Sequence, residues 1–251
     1  MTLPQVFLDR PLAHRALHDV THGRPENSLA SIRSAITAGY GIEIDLQLSK
    51  DGQAMVFHDY DLQRLCGVTG AVGQRTADEL ARLALTGGDE GIPTLHQVLD
   101  LVAGQVPLLI EIKDQDLRLG PNIGRLEQAA AKALAGYSGP VALMSFNPHS
   151  VSELARLCPA FPRGLTTCNF VKADWPLVPD QRREQLARIP DFDATGSCFI
   201  SHQQDELDTP RVAELKSSGI PVLCWTIRTP EEEATARKIA DNITFEGYLP
   251  A

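Results

Sequence analysis

Five short polar motifs lie within the first 60 residues of the chain. They read His14-Arg15, Pro25-Glu26-Asn27-Ser28, Glu43-Ile44-Asp45, Lys50-Asp51-Gly52 and His58-Asp59. Each motif ends an apolar stretch or occupies a turn, where a rigid scaffold can present its side chains. The motifs combine imidazole, carboxylate and guanidinium groups. Such a set is suited to moving protons around an anion that a metal ion holds.

Three acidic residues are candidates for a metal site. Side chains alternate along a strand, so Glu43 and Asp45 share one face of their strand. Glu111 likewise shares a face with Lys113. One interpretation is an ordinary antiparallel strand whose polar side faces water. If helices cover the sheet instead, three carboxylates converge in its interior and need a neutralising charge. Their oxygen ligands favour Mg²⁺ or Ca²⁺ over zinc.

His14 and His58 are the candidate acid and base. Histidine titrates near neutral pH, so one imidazole can accept a proton while the other donates one. Asp59 either orients His58 or begins the next turn, and the second interpretation is favoured. Arg15 and Lys113 can neutralise phosphate oxygens, or they form ion pairs with the acidic residues. The other histidines are interpreted as core or surface residues: His18, His22, His96, His149 and His202.

Apolar, strand-like runs alternate with helical patterns along the chain. The runs are 12–13, 42–48, 54–57, 106–112, 141–146, 163–167, 197–201, 222–227 and 243–248. Several are almost continuously apolar, which is typical of parallel strands that helices cover. A chain of 251 residues has the usual size of one (β/α)₈ barrel. We therefore predict an α/β fold, a single TIM-type barrel domain over residues 1–251.

One connection interrupts the alternation of strands and helices. Only Asp51-Gly52 separates two strand-like runs, and this pair favours a two-residue hairpin turn. The run 54–57 would then be an extra antiparallel hairpin strand carrying His58, with Asp45 opposite His58. The remaining runs would form the parallel barrel.

Helix starts are marked by capping residues. Four capping boxes are predicted at Thr76-x-x-Glu79, Thr94-x-x-Gln97, Ser150-x-x-Glu153 and Thr229-x-x-Glu232, and Thr209-Pro210 marks another start. Asn27 or Ser28 can cap the helix that follows them.

The motifs resemble those of the glycerophosphodiester phosphodiesterase family, in the same order. That family reads His-Arg-Gly, Pro-Glu-Asn-Thr, Glu-x-Asp, Lys-Asp-Gly and His-Asp. Glu111-Ile112-Lys113 and Trp225-Thr226 match its later Glu-x-Lys and Trp-Thr motifs. The resemblance implies that Glu43, Asp45 and Glu111 hold the metal and that His14 and His58 are the catalytic pair. It also places Glu26 and Asn27 near the site and Trp225 against the glycerol of a substrate, although Trp225 can equally be a core residue.

The chain departs from this family pattern in three places. Ala16 replaces the glycine after His-Arg, so a backbone position with positive φ is expected to be altered or unused. The segment between His14 and Glu26 is longer than usual, which would reshape the rim of the site. The last strand carries Phe245-Glu246-Gly247 where many members have Thr-Asp, so the role of this strand is open.

Composition narrows the classes of partner. The net charge of −9 disfavours nucleic acid and anionic membranes, and 43% apolar residues are ordinary for a globular protein. The five cysteines show no zinc or redox spacing and indicate buried thiols in a cytoplasmic protein.

We therefore expect a metal-dependent enzyme that hydrolyses small glycerophosphodiesters to glycerol 3-phosphate and an alcohol. It would need Mg²⁺ or Ca²⁺ as its cofactor. No stable association with a membrane is expected. No aromatic cage for choline is evident, because the chain has only two Trp and four Tyr, so loose demands on the alcohol are expected. The alternatives are a lysophospholipase D or phospholipase C-like enzyme, with residues 170–178 as a lipid contact, or a non-catalytic binding barrel.

Overall fold

The computed structural model describes residues 1–250, in which parallel strands close into a barrel. The barrel strands are β1 (Leu12–Ala13), β2 (Gly41–Leu48), β4 (Leu108–Ile112), β5 (Val141–Ser145), β6 (Arg163–Thr167), β7 (Phe199–Gln203), β8 (Val222–Ile227) and β9 (Asn242–Phe245). Each strand pairs with its neighbours in this order, and β1 pairs with both β2 and β9, which closes the ring. The predicted TIM-type fold is confirmed.

Helices follow most strands and cover the outside of the barrel. Their bounds are α1 (Val6–Asp9), α2 (Leu29–Ala38), α3 (Gln63–Cys66), α4 (Ala77–Ala81), α5 (Leu95–Val102), α6 (Arg125–Leu134), α7 (Pro148–Leu157), α8 (Asp180–Ala187), α9 (Pro210–Ser217) and α10 (Pro230–Ala236). Short 3₁₀ helices occupy Val20–His22, Val72–Gln74 and Gln204–Glu206. No helix among residues 1–250 is long and apolar enough to cross a bilayer.

The alternation of side chains along the strands divides the core into two layers. On the outer faces, residues such as Ile42, Ile44 and Ile110 pack against the helices. On the inner faces, Leu109 joins a second cluster inside the barrel that the N-terminal residue Phe7 also enters. This inner cluster leaves the opposite end of the barrel to polar side chains. The polar strand faces therefore point inward, and they are not the exposed side of an antiparallel sheet.

The extra strand β3 (Ala54–Val56) pairs antiparallel with β2, which confirms the predicted hairpin. Its register differs by one residue from the prediction. The Phe57 amide donates to the Asp45 carbonyl oxygen at 2.9 Å, so Asp45 lies opposite Phe57 and not opposite His58. His58 follows the strand by two residues.

The hairpin loop explains this difference. The Ser49 amide donates to the Gln53 carbonyl at 3.0 Å, so residues 50–52 form a three-residue loop. Gly52 has a φ of +80° at its last position, the conformation that such loops require. The Asp-Gly signal predicted a hairpin here correctly, but it did not fix the loop length.

Most of the predicted caps are present. Thr76 and Thr94 form complete capping boxes, whereas Thr229 accepts from the Glu232 amide without the reciprocal bond. The box predicted at Ser150 is wrong, because α7 begins earlier and Asn147 is its N-cap. The Ser150 hydroxyl donates instead to Glu127, a buried residue of α6.

Candidate active site

The predicted site residues meet at the carboxyl end of the barrel strands. All eight line one cavity of about 170 Å³, here called the inner cavity: His14, Arg15, Glu43, Asp45, His58, Glu111, Lys113 and Trp225. His14 directly follows β1, and Lys113 directly follows β4. In TIM barrels this end of the strands carries the functional residues.

Three buried carboxylates form the floor of the inner cavity. One oxygen each of Glu43, Asp45 and Glu111 lies within 4.8 Å of the others. The parallel register places Asp45 directly beside Glu111 on neighbouring strands. Burial and the neighbouring negative charges raise the pKa of Glu43 well above its usual range, and the pKa of Glu111 is raised as well. Burial acts in the same direction on Asp45, but nearby cations, Lys113 first among them, hold its pKa far below the usual range.

These carboxylates fit a divalent cation. The Lys113 ammonium, just after β4, lies 2.8 Å from Asp45 and 2.7 Å from Glu111. This one ammonium group therefore faces a cluster of three carboxylates. Among residues 1–250, the Glu43 carboxylate accepts a hydrogen bond only from the Arg15 backbone amide, at 3.0 Å, and it forms no ion pair with a Lys, Arg or His side chain. A buried all-oxygen cluster with unsatisfied negative charge is the chemistry of a hard-cation site. The acidic cluster could therefore hold a metal.

A tight turn after β1 brings Arg15 over the carboxylates. Arg15 and Ala16 have φ values of +52° and +65°. The expectation that Ala16 would alter or abandon the positive φ is wrong, because alanine adopts it here in spite of its Cβ. The turn aims the Arg15 guanidinium at Glu26, at 2.8 Å, and near Asp45, at 3.6 Å.

Of the two roles considered for Asn27 and Ser28, Ser28 caps a helix and Asn27 lies at the site. Ser28 caps α2 by accepting from the Ser31 amide. Asn27 is buried, and its side-chain amide donates to the Asp45 carboxylate at 3.0 Å while its oxygen accepts from the Asp45 backbone amide at 3.3 Å. Asn27 thus fixes the orientation of one candidate metal ligand.

His14 is held by a carboxylate from the last strand segment. Its Nδ1 lies 2.6 Å from Glu246, whose other oxygen accepts from the Arg228 guanidinium at 2.8 Å. Burial lowers the pKa of His14, and the hydrogen bond to Glu246 opposes this shift. The His18 ring also lies 3.6 Å from Glu246. The segment after β9, whose role was open, therefore supports the site through Glu246.

His58 is held in a similar way from the opposite side. Its Nδ1 lies 2.8 Å from Asp59, so the interpretation of Asp59 as only a turn residue is wrong. Arg64 of α3 donates to Asp59 at 2.7 Å and to Glu26 at 2.7 Å. Glu26 in turn accepts from Arg15, so a continuous chain of ion pairs links Arg15 to His58. These pairs hold the pKa of Asp59 and that of Glu26 below their ordinary values, despite burial.

A second, larger cavity opens beside the first. This outer cavity has a volume of about 420 Å³ and shares His58, Lys113 and Trp225 with the inner cavity. The Trp225 indole donates to the Ser201 carbonyl at 3.0 Å and packs edge to face on Phe146 at 5.5 Å. Trp225 is thus partly packed and also lines both cavities.

Four further residues of the site were not assigned from the sequence. The sequence offered a reason to consider two of them: Asp59 belongs to the His58-Asp59 motif, and Glu246 lies in the segment that replaces the family's Thr-Asp. No sequence feature indicated Arg64 or Arg228. Arg64 donates to Asp59 from a helix and Arg228 donates to Glu246 from a loop, and only the folded structure shows these contacts.

Comparison with known proteins agrees with this arrangement. A family model described as the Glycerophosphoryl diester phosphodiesterase family matches residues 14–241. A protein of Caldanaerobacter subterraneus subsp. tengcongensis, named glycerophosphodiester phosphodiesterase, is 34% identical, and the match covers 83% of this chain and 82% of that protein.

Solved structures share the fold. A phosphodiesterase of Oleispira antarctica, in complex with the product sn-glycerol-3-phosphate, superposes with a TM-score of 0.77 at 25% identity and covers 96% of this chain and 93% of its own. A glycerophosphodiester phosphodiesterase from Parabacteroides distasonis has a TM-score of 0.72 at 24% identity, covering 94% of this chain and 92% of its own.

Proposed function

Since the chain belongs to the glycerophosphodiester phosphodiesterase family, an enzyme family, we propose that it hydrolyses glycerophosphodiesters to glycerol 3-phosphate and an alcohol. The observation that carries the proposal is the inner cavity. It brings two imidazoles, three Lys or Arg side chains and three carboxylates within reach of one small anionic group. The product named for the Oleispira protein supports the same substrate class.

Arg15 and Lys113 are proposed to bind the phosphate. Both line the inner cavity, and the two carboxylates beside Arg15 are each shared with another cation, Glu26 with Arg64 and Asp45 with Lys113. A guanidinium can contact two phosphate oxygens in one plane, whereas an ammonium acts as a point charge. The ion pairs with Glu26 and Asp45 keep these long side chains in position before the substrate arrives.

Glu43, Asp45 and Glu111 are proposed to hold a divalent cation, Mg²⁺ or Ca²⁺. When bound, such an ion supplies Lewis-acid polarisation of a phosphoryl oxygen and a template for the substrate. Asn27 supports the site by restraining the Asp45 carboxylate.

His14 and His58 are proposed to transfer the two protons of the reaction. Each Nδ1 faces a carboxylate, Glu246 or Asp59, which leaves the Nε2 atom for proton transfer. One imidazole takes the proton of the attacking hydroxyl as its oxygen bonds to phosphorus. The other gives a proton to the alcohol oxygen as the ester P–O bond breaks. The attacking group is water, or the neighbouring glycerol hydroxyl with a cyclic phosphate formed first.

A lipid substrate is the second candidate. The segment 170–178 beside the outer cavity exposes two apolar side chains, Val171 at 48% and Leu177 at 53%. Exposed apolar residues near a site entrance are typical of enzymes that act on lipid aggregates. The non-catalytic barrel has less support, because every predicted site residue lines the cavity.

A hydrolysis panel tests these candidates. The purified chain is incubated with glycerophosphocholine, glycerophosphoethanolamine, glycerophosphoglycerol and micellar lysophosphatidylcholine, each with Mg²⁺, Ca²⁺ or EDTA. The proposal predicts metal-dependent release of glycerol 3-phosphate from the water-soluble diesters. A strong preference for the lysolipid would favour the second candidate, and inertness toward all substrates would favour the binding barrel.

Domain organisation and location also stay proposals. Barrel strands come from Leu12 to Phe245, which supports one domain over the whole chain. The five cysteines are free, four of them buried, which supports a reducing compartment such as the cytoplasm. Limited proteolysis and cell fractionation test these two points.

A further inference from the structure

The outer cavity has a composition unlike that of the inner one. Nine residues line it and not the inner cavity: Tyr60, Asp114, Leu119, Cys168, Asp174, Trp175, Gln203, Gln204 and Asp205. Three of the nine are aspartates, and none is a lysine, arginine or histidine. Lys113 and Arg228 line both cavities, and Arg15 lines only the inner cavity, where the phosphate is proposed to bind.

An aromatic cluster forms one wall of the outer cavity. Phe146 lies 4.9 Å from Trp175 and 5.5 Å from Trp225, measured between ring centroids, and Phe170 supports Trp175 from behind at 5.2 Å. Three of these rings, those of Phe146, Trp175 and Trp225, line the cavity. The low total number of Trp and Tyr did not predict this cluster, because the fold collects the rings from separate segments.

Two carboxylates at this cavity are free to meet a ligand. Asp174 and Asp205 are exposed, and neither forms an ion pair with any Lys, Arg or His among residues 1–250. Asp114 differs, because it is buried and accepts hydrogen bonds from Asn147 and from the Leu119 amide. An aromatic wall with unpaired carboxylates at its rim is complementary to an organic ammonium ion.

From this complementarity we propose that the outer cavity binds the alcohol of the substrate and selects one that carries an ammonium group, with Trp175, Asp174 and Asp205 as specificity-determining residues. The inference rests on the proposed function, because the phosphate must occupy the inner cavity for the alcohol to extend into the outer one. The seven residues shared by the two cavities, His58 among them, make that path continuous.

The test compares two esters of the same shape. Glycerophosphocholine carries a quaternary ammonium, and glycerophospho-3,3-dimethylbutanol replaces its nitrogen with carbon, so that its alcohol is uncharged while the phosphodiester charge is kept. We expect a kcat/KM ratio of about tenfold in favour of the choline ester, since a cation–π contact and a partly exposed charge contact each contribute modestly. The ratio should fall with added salt, because exposed charges are screened. Equal kcat/KM values for the two esters would overturn the inference.

Amino-acid substitutions test which side chains cause the preference for the choline ester. Asp174→Asn combined with Asp205→Asn, and separately Trp175→Leu, should each bring the ratio toward one, chiefly by lowering kcat/KM for the choline ester. Asp208→Asn is the matched control, an exposed aspartate near Asp205 that lines neither cavity, and it should leave the ratio unchanged. A ratio that the cavity variants do not change would exclude these side chains as its source.

The two proposals fail in different ways. If all diesters are hydrolysed without regard to charge, the proposed function stands and the ammonium subsite is wrong. If no ester is hydrolysed, the proposed function is wrong, and calorimetric titration of both esters into the wild-type protein still tests the subsite. Equal affinity for the two esters then overturns it, and tighter binding of the choline ester supports it.

Discussion

Replacing Glu43 with glutamine should stabilise the metal-free protein while it weakens metal binding. Glu43 lies among buried carboxylates, and within residues 1–250 the Arg15 backbone amide is the only hydrogen-bond donor to its carboxylate. Two like charges at the 4.8 Å limit of this cluster repel by about 3 kcal/mol at an effective dielectric constant of 20. Lys113 already offsets part of this repulsion, so we expect Glu43→Gln to raise the free energy of unfolding by about 2 kcal/mol in EDTA at pH 8.

The pH dependence of this effect has a defined sign. Burial and the neighbouring carboxylates raise the folded-state pKa of Glu43 above its unfolded value of about 4.3. The folded protein therefore binds this proton more tightly than the unfolded chain does. The contribution of Glu43 to stability is greatest below about pH 4.3 and is lost as the pH rises through the folded-state pKa. The advantage of Glu43→Gln should accordingly be small near pH 4.3 and grow toward pH 8.

Urea unfolding, followed by circular dichroism, measures these differences. Mg²⁺ or Ca²⁺ should stabilise the wild type, by about 2.7 kcal/mol at a concentration 100-fold above Kd, and the variant much less. Glu127→Gln is the matched control, because Glu127 is about as buried as Glu43 but lines neither cavity and accepts hydrogen bonds from Gly124 and Ser150. We expect this control to lower stability by about 1–2 kcal/mol with and without metal. If Glu43→Gln also destabilises in EDTA, or gains as much from metal as the wild type, the cation-site reasoning is wrong.

Three further predictions concern turnover. His14→Ala and His58→Ala should each lower kcat by about 10²–10⁴-fold in steady-state assays, with a double variant worse by less than the product; a near-wild-type rate in either would remove that residue from proton transfer. Asp59→Asn should lower kcat by about tenfold or more, because a charged hydrogen-bond partner of His58 is lost, whereas the exposed control Asp61→Asn should match the wild type. EDTA should abolish turnover and Mg²⁺ or Ca²⁺ should restore it, so full activity after exhaustive chelation would contradict a required metal.

The barrel was predictable because its signals are local. Continuous apolar runs such as that before Glu111 and threonine caps such as Thr94 are set by neighbouring residues in the chain. The wrong predictions concern features that the sequence of neighbouring residues does not determine. Ser150 fits a capping box by spacing, but its hydroxyl bonds to Glu127 on another helix. The hairpin register depended on whether two or three residues turn the chain, which Asp51-Gly52 alone does not specify.

The candidate site was predictable in its residues but not in its connections. Motif order identified the residues that line the inner cavity, and their roles stay predictions. The partners of His14 and His58 required the fold, since Glu246 comes from the far end of the chain and Arg64 from a separate helix. The aromatic wall of the outer cavity was missed for the same reason. Composition counts aromatic residues, and only the packed structure shows that Phe146 and Trp175 meet.

One measurement tests the proposed hydrolysis most directly. Glycerophosphoethanolamine is mixed with the purified chain and Mg²⁺, and the reaction is followed by ³¹P nuclear magnetic resonance, with EDTA added to a parallel sample. We predict that the diester signal disappears, that the signal of glycerol 3-phosphate replaces it, and that EDTA stops the conversion. Phosphoethanolamine as the product, or a diester signal that persists with Mg²⁺ and with Ca²⁺, would contradict the proposed function.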